Sequence, residues 1–295
     1  MSFDEGDPGQ RRPLLIVDGD NLAHRAYHSM PKSVRGRDGQ PINAVVGWTS
    51  MLLAAWDAEQ PRSIFVGWDT LGQPTYRHRL WPSYQGGRVF DPEIVEQLEI
   101  LPGIAVSFGF GSGKAAGYEA DDVIAAAVKA EVADGGSCLV LTNDRDSYQL
   151  VSDRVTVLSP KRGIRELSRV GPAEVRAYFG VEPSQVPDFK ALAGDSSDNI
   201  PGARGVGPKG AAALIQKYGG LEAVLEASKG SHLAGDAERL LLFREVVRMQ
   251  DDVPVTLPKS GAPEWESAAR VLQRLGAERQ AERVLGFAQR TARLL

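Results

Sequence analysis

The residues in this sequence whose types and spacing could do chemistry are carboxylates. Asp18, Asp69 and Asp144 each follow a short apolar run: Leu14-Leu15-Ile16-Val17, Ile64-Phe65-Val66 with Gly67-Trp68, and Cys138-Leu139-Val140-Leu141 with Thr142-Asn143. Glu119, Asp121 and Asp122 open an apolar stretch, and Asp144-Arg145-Asp146 and Asp195-Ser196-Ser197-Asp198 are close pairs able to aim two carboxylates at one point. Taken singly, such acids cap turns and complement helix N-termini. Gathered within a few Å they would repel one another and take up protons unless cations neutralised them. Oxygen donors without His or Cys favour Mg²⁺ or Mn²⁺ over zinc. A pair of such ions activates water and stabilises the leaving oxygen in phosphodiester cleavage.

The elements that must position these acids follow from periodicity. The three apolar runs read as buried strands, each ending near an acid. Helical stretches separate them at 43–57, about 92–101 and 119–132. This alternation predicts an α/β fold with a mostly parallel sheet, whose strands' carboxyl ends share the edge where such sheets place ligands. From about residue 170 the pattern turns helical: one helix opens at Gly171-Pro172, others cover 183–191, 211–218, 221–227 and 236–249, and two more lie in 264–295. Residues 1–12 read as a disordered polar lead-in. Residues 72–117, with Tyr76, Trp81, Tyr84 and several arginines and glycines, read as a partly mobile segment. Its aromatics either stack on unpaired bases or pack within the segment.

Composition narrows the function classes. The 295 residues allow up to two domains at ~150 residues each, and their formal net charge of −4 argues at face value against a nucleic-acid binder. The nine clustered acids exceed that deficit, however. Residues 199–220 carry Arg204, Lys209 and Lys217 without an acid, and residues 70–90 carry Arg77, Arg79 and Arg88 without one. Phosphate binding around a metal-neutralised centre is compatible with such a distribution. The single cysteine, Cys138, excludes an intramolecular disulfide and a Cys-rich zinc site, and its apolar strand makes it a core residue. His24, His28, His78 and His232 fall at no zinc-ligand spacing; His24 and His28 are expected to be packed or solvated, and Trp48 and Trp56 to be core. No apolar window reaches ~18 residues and the first ten are polar, so an unanchored cytoplasmic protein is expected.

Two glycine-rich tracts read differently. Gly205-Val206-Gly207-Pro208-Lys209, preceded by Arg204 and entering a helix, can offer backbone N–H groups and a helix N-terminus to phosphate. Gly109-Phe110-Gly111-Ser112-Gly113-Lys114 is no P-loop, because Phe108 stands where the first glycine belongs and Ala115 replaces the Ser or Thr. It reads as a flexible loop.

Four motifs, in one order, carry a family resemblance: Val17-Asp-Gly-Asp-Asn-Leu-Ala-His-Arg25, Gly117-Tyr-Glu-Ala-Asp-Asp122, Leu141-Thr-Asn-Asp-Arg-Asp-Ser-Tyr-Gln-Leu150 and Ala193-Gly-Asp-Ser-Ser-Asp-Asn-Ile-Pro-Gly-Ala-Arg-Gly-Val-Gly207. From about residue 13 onward the chain resembles the bacterial 5′ nucleases, namely the 5′→3′ exonuclease domain of DNA polymerase I and its stand-alone flap-endonuclease relatives. The resemblance implies a PIN-like nuclease core over 13–169 with a helical arch at about 72–117. It also implies a helical duplex-DNA-binding part over 170–295, packed as one unit with the core and containing a helix–three-turn–helix at about 187–220, with a K⁺ ion there.

Carried over by position, Asp18, Asp69, Glu119, Asp121 and Asp144 correspond to ligands of a first metal, and Asp146, Asp195 and Asp198 to those of a second. Asp122 falls beside the ligands rather than among them. Arg25 and Lys190 match basic positions near the scissile phosphate; Arg77, Tyr84 and Arg88 match the arch, with Arg77 expected to assist catalysis. The arch departs from the family in one respect, because Gln85 follows Tyr84 where lysine is common. The implied activity is hydrolysis of flapped, nicked or 5′-ended DNA, including RNA primers, during replication and repair. The implied enzyme is a monomer of the stand-alone form with a functional link to a DNA polymerase. A PIN-type ribonuclease and a non-catalytic binder of branched DNA, the latter motivated by Gln85, are the alternatives.

Overall fold

A computed structural model describes residues 11–87, 89–161 and 166–292. The lead-in expected over 1–12 therefore lies outside the described residues except for Arg11 and Arg12, and Arg88 lies outside them as well. Among the described residues six strands form one sheet: β1 (Leu14–Asp18), β2 (Ser63–Trp68), β3 (Gly111–Lys114), β4 (Cys138–Leu141), β5 (Val155–Pro160) and β6 (Leu167–Val170), in the order β3-β2-β1-β4-β5-β6. Every pairing is parallel except β5–β6.

The central strand β1 is buried along its whole length, as a parallel strand covered on both faces should be. Its alternate residues enter two cores. Leu14 and Ile16 face one side with α5 (Ala120–Ala133) and the helices beyond residue 170, whereas Leu15 and Val17 face the other. That second side is covered by α1 (Gly19–Ser29), α2 (Asn43–Glu59) and α4 (Pro92–Ser107), and the short α3 (Tyr76–Leu80) lies between β2 and α4 in sequence.

Beyond β6 come α6 (Pro172–Phe179), α7 (Val186–Ala193), α8 (Pro208–Tyr218), α9 (Leu221–Ala227), the single turn α10 (His232–Gly235) and α11 (Ala237–Val247). Buried residues of α6 to α9 and α11 are continuous with the first core. The last helices, α12 (Trp265–Arg274) and α13 (Glu278–Ala292), pack instead on the α2–α4 side, with the Trp265 ring 5.9 Å from Trp56 and 6.1 Å from Phe108.

Within 72–117 the helix expected at about 92–101 forms, whereas the stretch expected as a flexible loop is a strand. Helix α4 buries Ile94, Leu98, Leu101 and Ile104 in the second core and runs to Ser107, and Gly111–Lys114 is an edge strand rather than a flexible loop. Its glycines conceal a strand from any apolar pattern for a steric reason: a β-carbon on Gly111 or Gly113 would sit 2.7 or 2.6 Å from the Phe65 ring. Cys138 and Trp48 are core, as expected, and burial beside Glu131 pushes the Cys138 thiol up to about 12.

Candidate active site

The register places the acids. Asp18 ends β1 opposite Gly67 of β2, two residues before Asp69, and Val17 pairs with Leu141 of β4, three before Asp144. The three acids thus leave the same sheet edge on adjacent strands. Each also caps a turn or helix. Asp18 Oδ1 accepts the Asn21 N–H at 3.0 Å, Asp144 Oδ1 accepts the Asp146 N–H at 2.9 Å, and Asp69 Oδ1 accepts the Ala120 N–H at 2.7 Å. Capping and gathering of charge are compatible, because a cap engages one carboxylate oxygen and leaves the group at the sheet edge.

Burial makes these carboxylates costly as anions. Asp18 is 5% exposed; burial, reinforced by Asp69 and Asp144, pushes its carboxyl up to about 7. Burial, with Asp144 and Asp18 close by, also raises Asp121 well above the usual range, and burial raises Glu119 despite Arg77. Asp18, Asp69, Asp121, Asp144 and Glu119 therefore share one electrostatic field, the condition that a divalent cation relieves.

The second group is tighter. Asp146, Asp195 and Asp198 each offer a carboxylate oxygen within 4.8 Å of the others. Lys190 on α7 sits among them, ion-paired to Asp146 and donating from Nζ to Asp195 Oδ2 at 2.6 Å. Burial pushes Asp195 up, but Lys190 and Ser197 outweigh it and hold the carboxyl below its usual value. The loop carrying Asp195 and Asp198 is closed by backbone contact: Gly202 has φ +73°, and a β-carbon there would lie 2.4 Å from the Gly194 nitrogen.

Two residues of the site escaped the reading of the sequence. Asp20 is buried and accepts the Asp69 N–H at 2.8 Å; burial, with Asp69 nearby, raises its carboxyl well above the usual range. A first-turn acid on α1 looks like routine dipole complementation, which hid it. Thr142 Oγ1 donates to Asp18 Oδ2 at 2.8 Å and accepts the Asp144 N–H at 3.0 Å, tying β1 to β4. The strand-plus-two position of Thr142 relative to Asp144 carried no recognisable signal.

Arg77 is 3% exposed and forms a bidentate pair with Asp122, so it is no arch cation facing substrate. Asp122 is fully buried and also accepts the Glu119 and Gln250 N–H groups. Tyr84 is also buried rather than presented to DNA, its hydroxyl donating to Glu119 Oε2 at 2.9 Å. A β-branch-poor, Gly-rich sequence around it gave no apolar pattern to reveal this packing. The Tyr76 ring lies tilted against Tyr118 at 5.8 Å and Trp81 meets Phe243 edge-on at 5.0 Å, so all three aromatics pack within the protein.

Arg25 lies on α1, donates from Nη2 to the Lys161 carbonyl at 3.2 Å, and keeps a buried Nε with no partner among the described residues. Arg204, Gly205, Gly207 and Lys209 are exposed together at the start of α8. No acid occupies the first turn of that helix, and a β-carbon on Gly205 or Gly207 would meet nothing within 4 Å. Backbone N–H groups are thus accessible there to an anion.

The chain matches known proteins along most of its length. A family model described as 5′-3′ exonuclease, N-terminal resolvase-like domain, covers residues 13–180, and one described as 5′-3′ exonuclease, C-terminal SAM fold, covers 181–266. DNA polymerase I of Mycobacterium bovis is 39% identical over 252 residues, 82% of this chain and 28% of the polymerase. The chain therefore spans little more than a quarter of that relative. Among solved structures, T5 5′-exonuclease with bound divalent zinc ions superposes with a TM-score of 0.67 at 21% identity, covering 93% of this chain and 99% of that one. The catalytic core of Rad2 in complex with a DNA substrate superposes with a TM-score of 0.59 at 13% identity, covering 93% and 91%. These likenesses support the fold, and the extent of the two family matches goes further: the chain belongs to the 5′-3′ exonuclease family.

Proposed function

We propose that this chain is a divalent-metal-dependent 5′ nuclease, cutting DNA at 5′ flaps, nicks and 5′ ends as a flap endonuclease and 5′→3′ exonuclease. The observation that carries this reading is the meeting of two carboxylate groups at Asp144 and Asp146, joined by the Asp146 N–H to Asp144 Oδ1 bond of 2.9 Å. Hard oxygen donors crowded together, several of them buried, suit Mg²⁺ or Mn²⁺. Asp18, Asp69, Glu119, Asp121 and Asp144 would hold one ion and Asp146, Asp195 and Asp198 another, with Asp144 adjacent to both. Ions bound there supply water activation and stabilise the leaving oxygen.

The chain's own residues do the rest. Thr142 and Asn21 fix the two oxygens of Asp18, and Tyr84 and Thr75 fix those of Glu119. Arg25 and Lys190 lie where a scissile phosphate would meet positive charge. Arg204, Lys209 and the N–H groups opening α8 hold the phosphates of the downstream duplex, and a K⁺ ion between α7 and α8 is part of the same proposal. Residues 72–91 receive the 5′ strand. Hydrolysis breaks the bond from phosphorus to O3′, leaving a 5′-phosphate and a 3′-hydroxyl. The cellular reading is removal of flaps and RNA primers alongside a DNA polymerase, by a cytoplasmic monomer. Among the described residues no helix is long and apolar enough to cross a membrane.

The test is a 5′-labelled flap duplex incubated with Mg²⁺, with EDTA, and with Asp144→Asn/Asp146→Asn protein, beside a single-stranded RNA of matched sequence. Junction-proximal cleavage that needs both metal and aspartates supports the proposal. Faster cleavage of the RNA points to a PIN-type ribonuclease. Flap binding without product in Mg²⁺ or Mn²⁺ points to a non-catalytic binder.

A further inference from the structure

Among the described non-glycine residues, three have positive φ: Gln60 at +43°, Gln85 at +47° and Asn199 at +57°. The last two belong to segments far apart in sequence that face each other. Gln85 lies in the turn at 81–87 and Asn199 in the loop closed by the Asp195–Ile200 bridge. A left-handed backbone at residues with a β-carbon persists only where the surroundings hold it.

Here the surroundings are a set of hydrogen bonds between the two segments. Asn199 Nδ2 donates to the Ser83 carbonyl at 3.0 Å and the Gly86 carbonyl at 3.3 Å. Trp81 Nε1 donates to the Asn199 carbonyl at 3.0 Å, and the Gln85 N–H reaches the Asp198 carbonyl at 3.4 Å. The Gln85 side chain then spans the two carboxylate groups. Its Nε2 donates to Asp198 Oδ1 at 3.0 Å and to the Tyr84 hydroxyl at 2.8 Å, and that hydroxyl donates to Glu119 Oε2 at 2.9 Å. One uninterrupted chain, Asp198–Gln85–Tyr84–Glu119, thus links an acid of the second group to an acid of the first.

We infer that Gln85 and Asn199 are positioning residues that clasp the turn at 81–87 onto the loop at 195–200 and so fix the spacing between the two carboxylate groups. A neutral amide does this without adding a cation to compete for the carboxylates, which a lysine at the same place would do. The Asn199 amide grips the turn, through the Ser83 and Gly86 carbonyls, and acts through it. The inference rests on the proposed metal-holding role of these acids.

The experiment is a calorimetric titration of the full chain with Mn²⁺, without DNA, for wild type, Gln85→Met, Asn199→Gly and the double variant. Gln85→Met keeps side-chain length and loses the amide; Asn199→Gly keeps the left-handed turn and loses its amide. Each single variant is expected to bind Mn²⁺ about tenfold more weakly, the order of loss when a ligand's hydrogen-bond partner is removed. The double variant should lose little more than either single one, because both break one clasp. Amide exchange measured in EDTA should quicken at 83–87 and 196–200 and stay unchanged in the sheet. Wild-type Mn²⁺ affinity in both single variants, or losses that multiply in the double, would overturn the clasp. Exchange that quickens throughout the sheet would do so too, by making the effect one of general folding. A wild type that neither binds Mn²⁺ nor cleaves the flap duplex would instead overturn the metal reading itself, and the clasp's role with it.

Discussion

Arg77 and Asp122 face each other as a bidentate pair, Nη1 to Oδ2 at 2.6 Å and Nη2 to Oδ1 at 2.7 Å. Arg77 Nε also donates to the Val246 carbonyl at 2.9 Å, so the pair bolts α3 and α5 to the end of α11. An arginine that reads in sequence as an arch cation is therefore a buried tie between the sheet layer and the helical part. Its position just behind Glu119, 3.4 Å from Oε2, also lends positive charge to the first carboxylate group.

Removing Arg77 should consequently act on stability. Arg77→Met leaves Asp122 buried and uncompensated, a loss of about 3–5 kcal/mol. Asp122→Leu added to it should recover only part, because Asp122 also accepts the Glu119 and Gln250 N–H groups. Urea unfolding checks both, and a variant of normal stability that merely cleaves slowly would return Arg77 to the substrate.

The metal-free protein should lose stability as pH rises. Asp18 titrates near 7 in the fold, above the ordinary carboxylate value, so the folded state holds a proton that the unfolded chain has released. Stability from this group is fully present below about pH 4 and is lost as pH rises through 7; Asp20 and Asp121 act in the same direction. Urea midpoints in EDTA should therefore fall from pH 5 to pH 8, and saturating Mg²⁺ should flatten the trend. Midpoints that rise over this interval in EDTA contradict the electrostatic account.

Binding through α8 should be independent of sequence and sensitive to salt. Arg204→Ala and Lys209→Ala should each reduce the slope of log affinity against log salt by roughly 1, equally for unrelated duplex sequences. Filter binding of two flap duplexes in EDTA, between low and moderate salt, measures this. A loss confined to one sequence would mean base readout instead.

Cys138 should be unreactive in the native protein. It is buried in β4 with its thiol pushed up to about 12, and the thiolate is the reactive form. Ellman's reagent at pH 8 should label it only at the rate of unfolding; immediate stoichiometric labelling would place it at an accessible surface.

The sequence alone determined the parallel α/β core, because buried central strands such as Leu14–Val17 and Cys138–Leu141 carry continuous apolar runs that mark them without neighbours. It also singled out Asp18 and Asp144, just at or after strand ends, and Glu119 and Asp121, at a helix start, where chain order alone sets their place. The tertiary structure decided what depends on a partner across space. Strand β3 exists because Gly111 and Gly113 make room for Phe65, which no local pattern encodes. The return of α12 and α13 to the α2–α4 side depends on Trp265 finding Trp56 and Phe108. The fates of Arg77 and Tyr84 were likewise settled by Asp122 and Glu119, more than thirty residues away. An arginine and a tyrosine in a glycine-rich segment look alike whether they face solvent or an anion; burial of the opposing carboxylate makes pairing inside the protein the lower-energy choice.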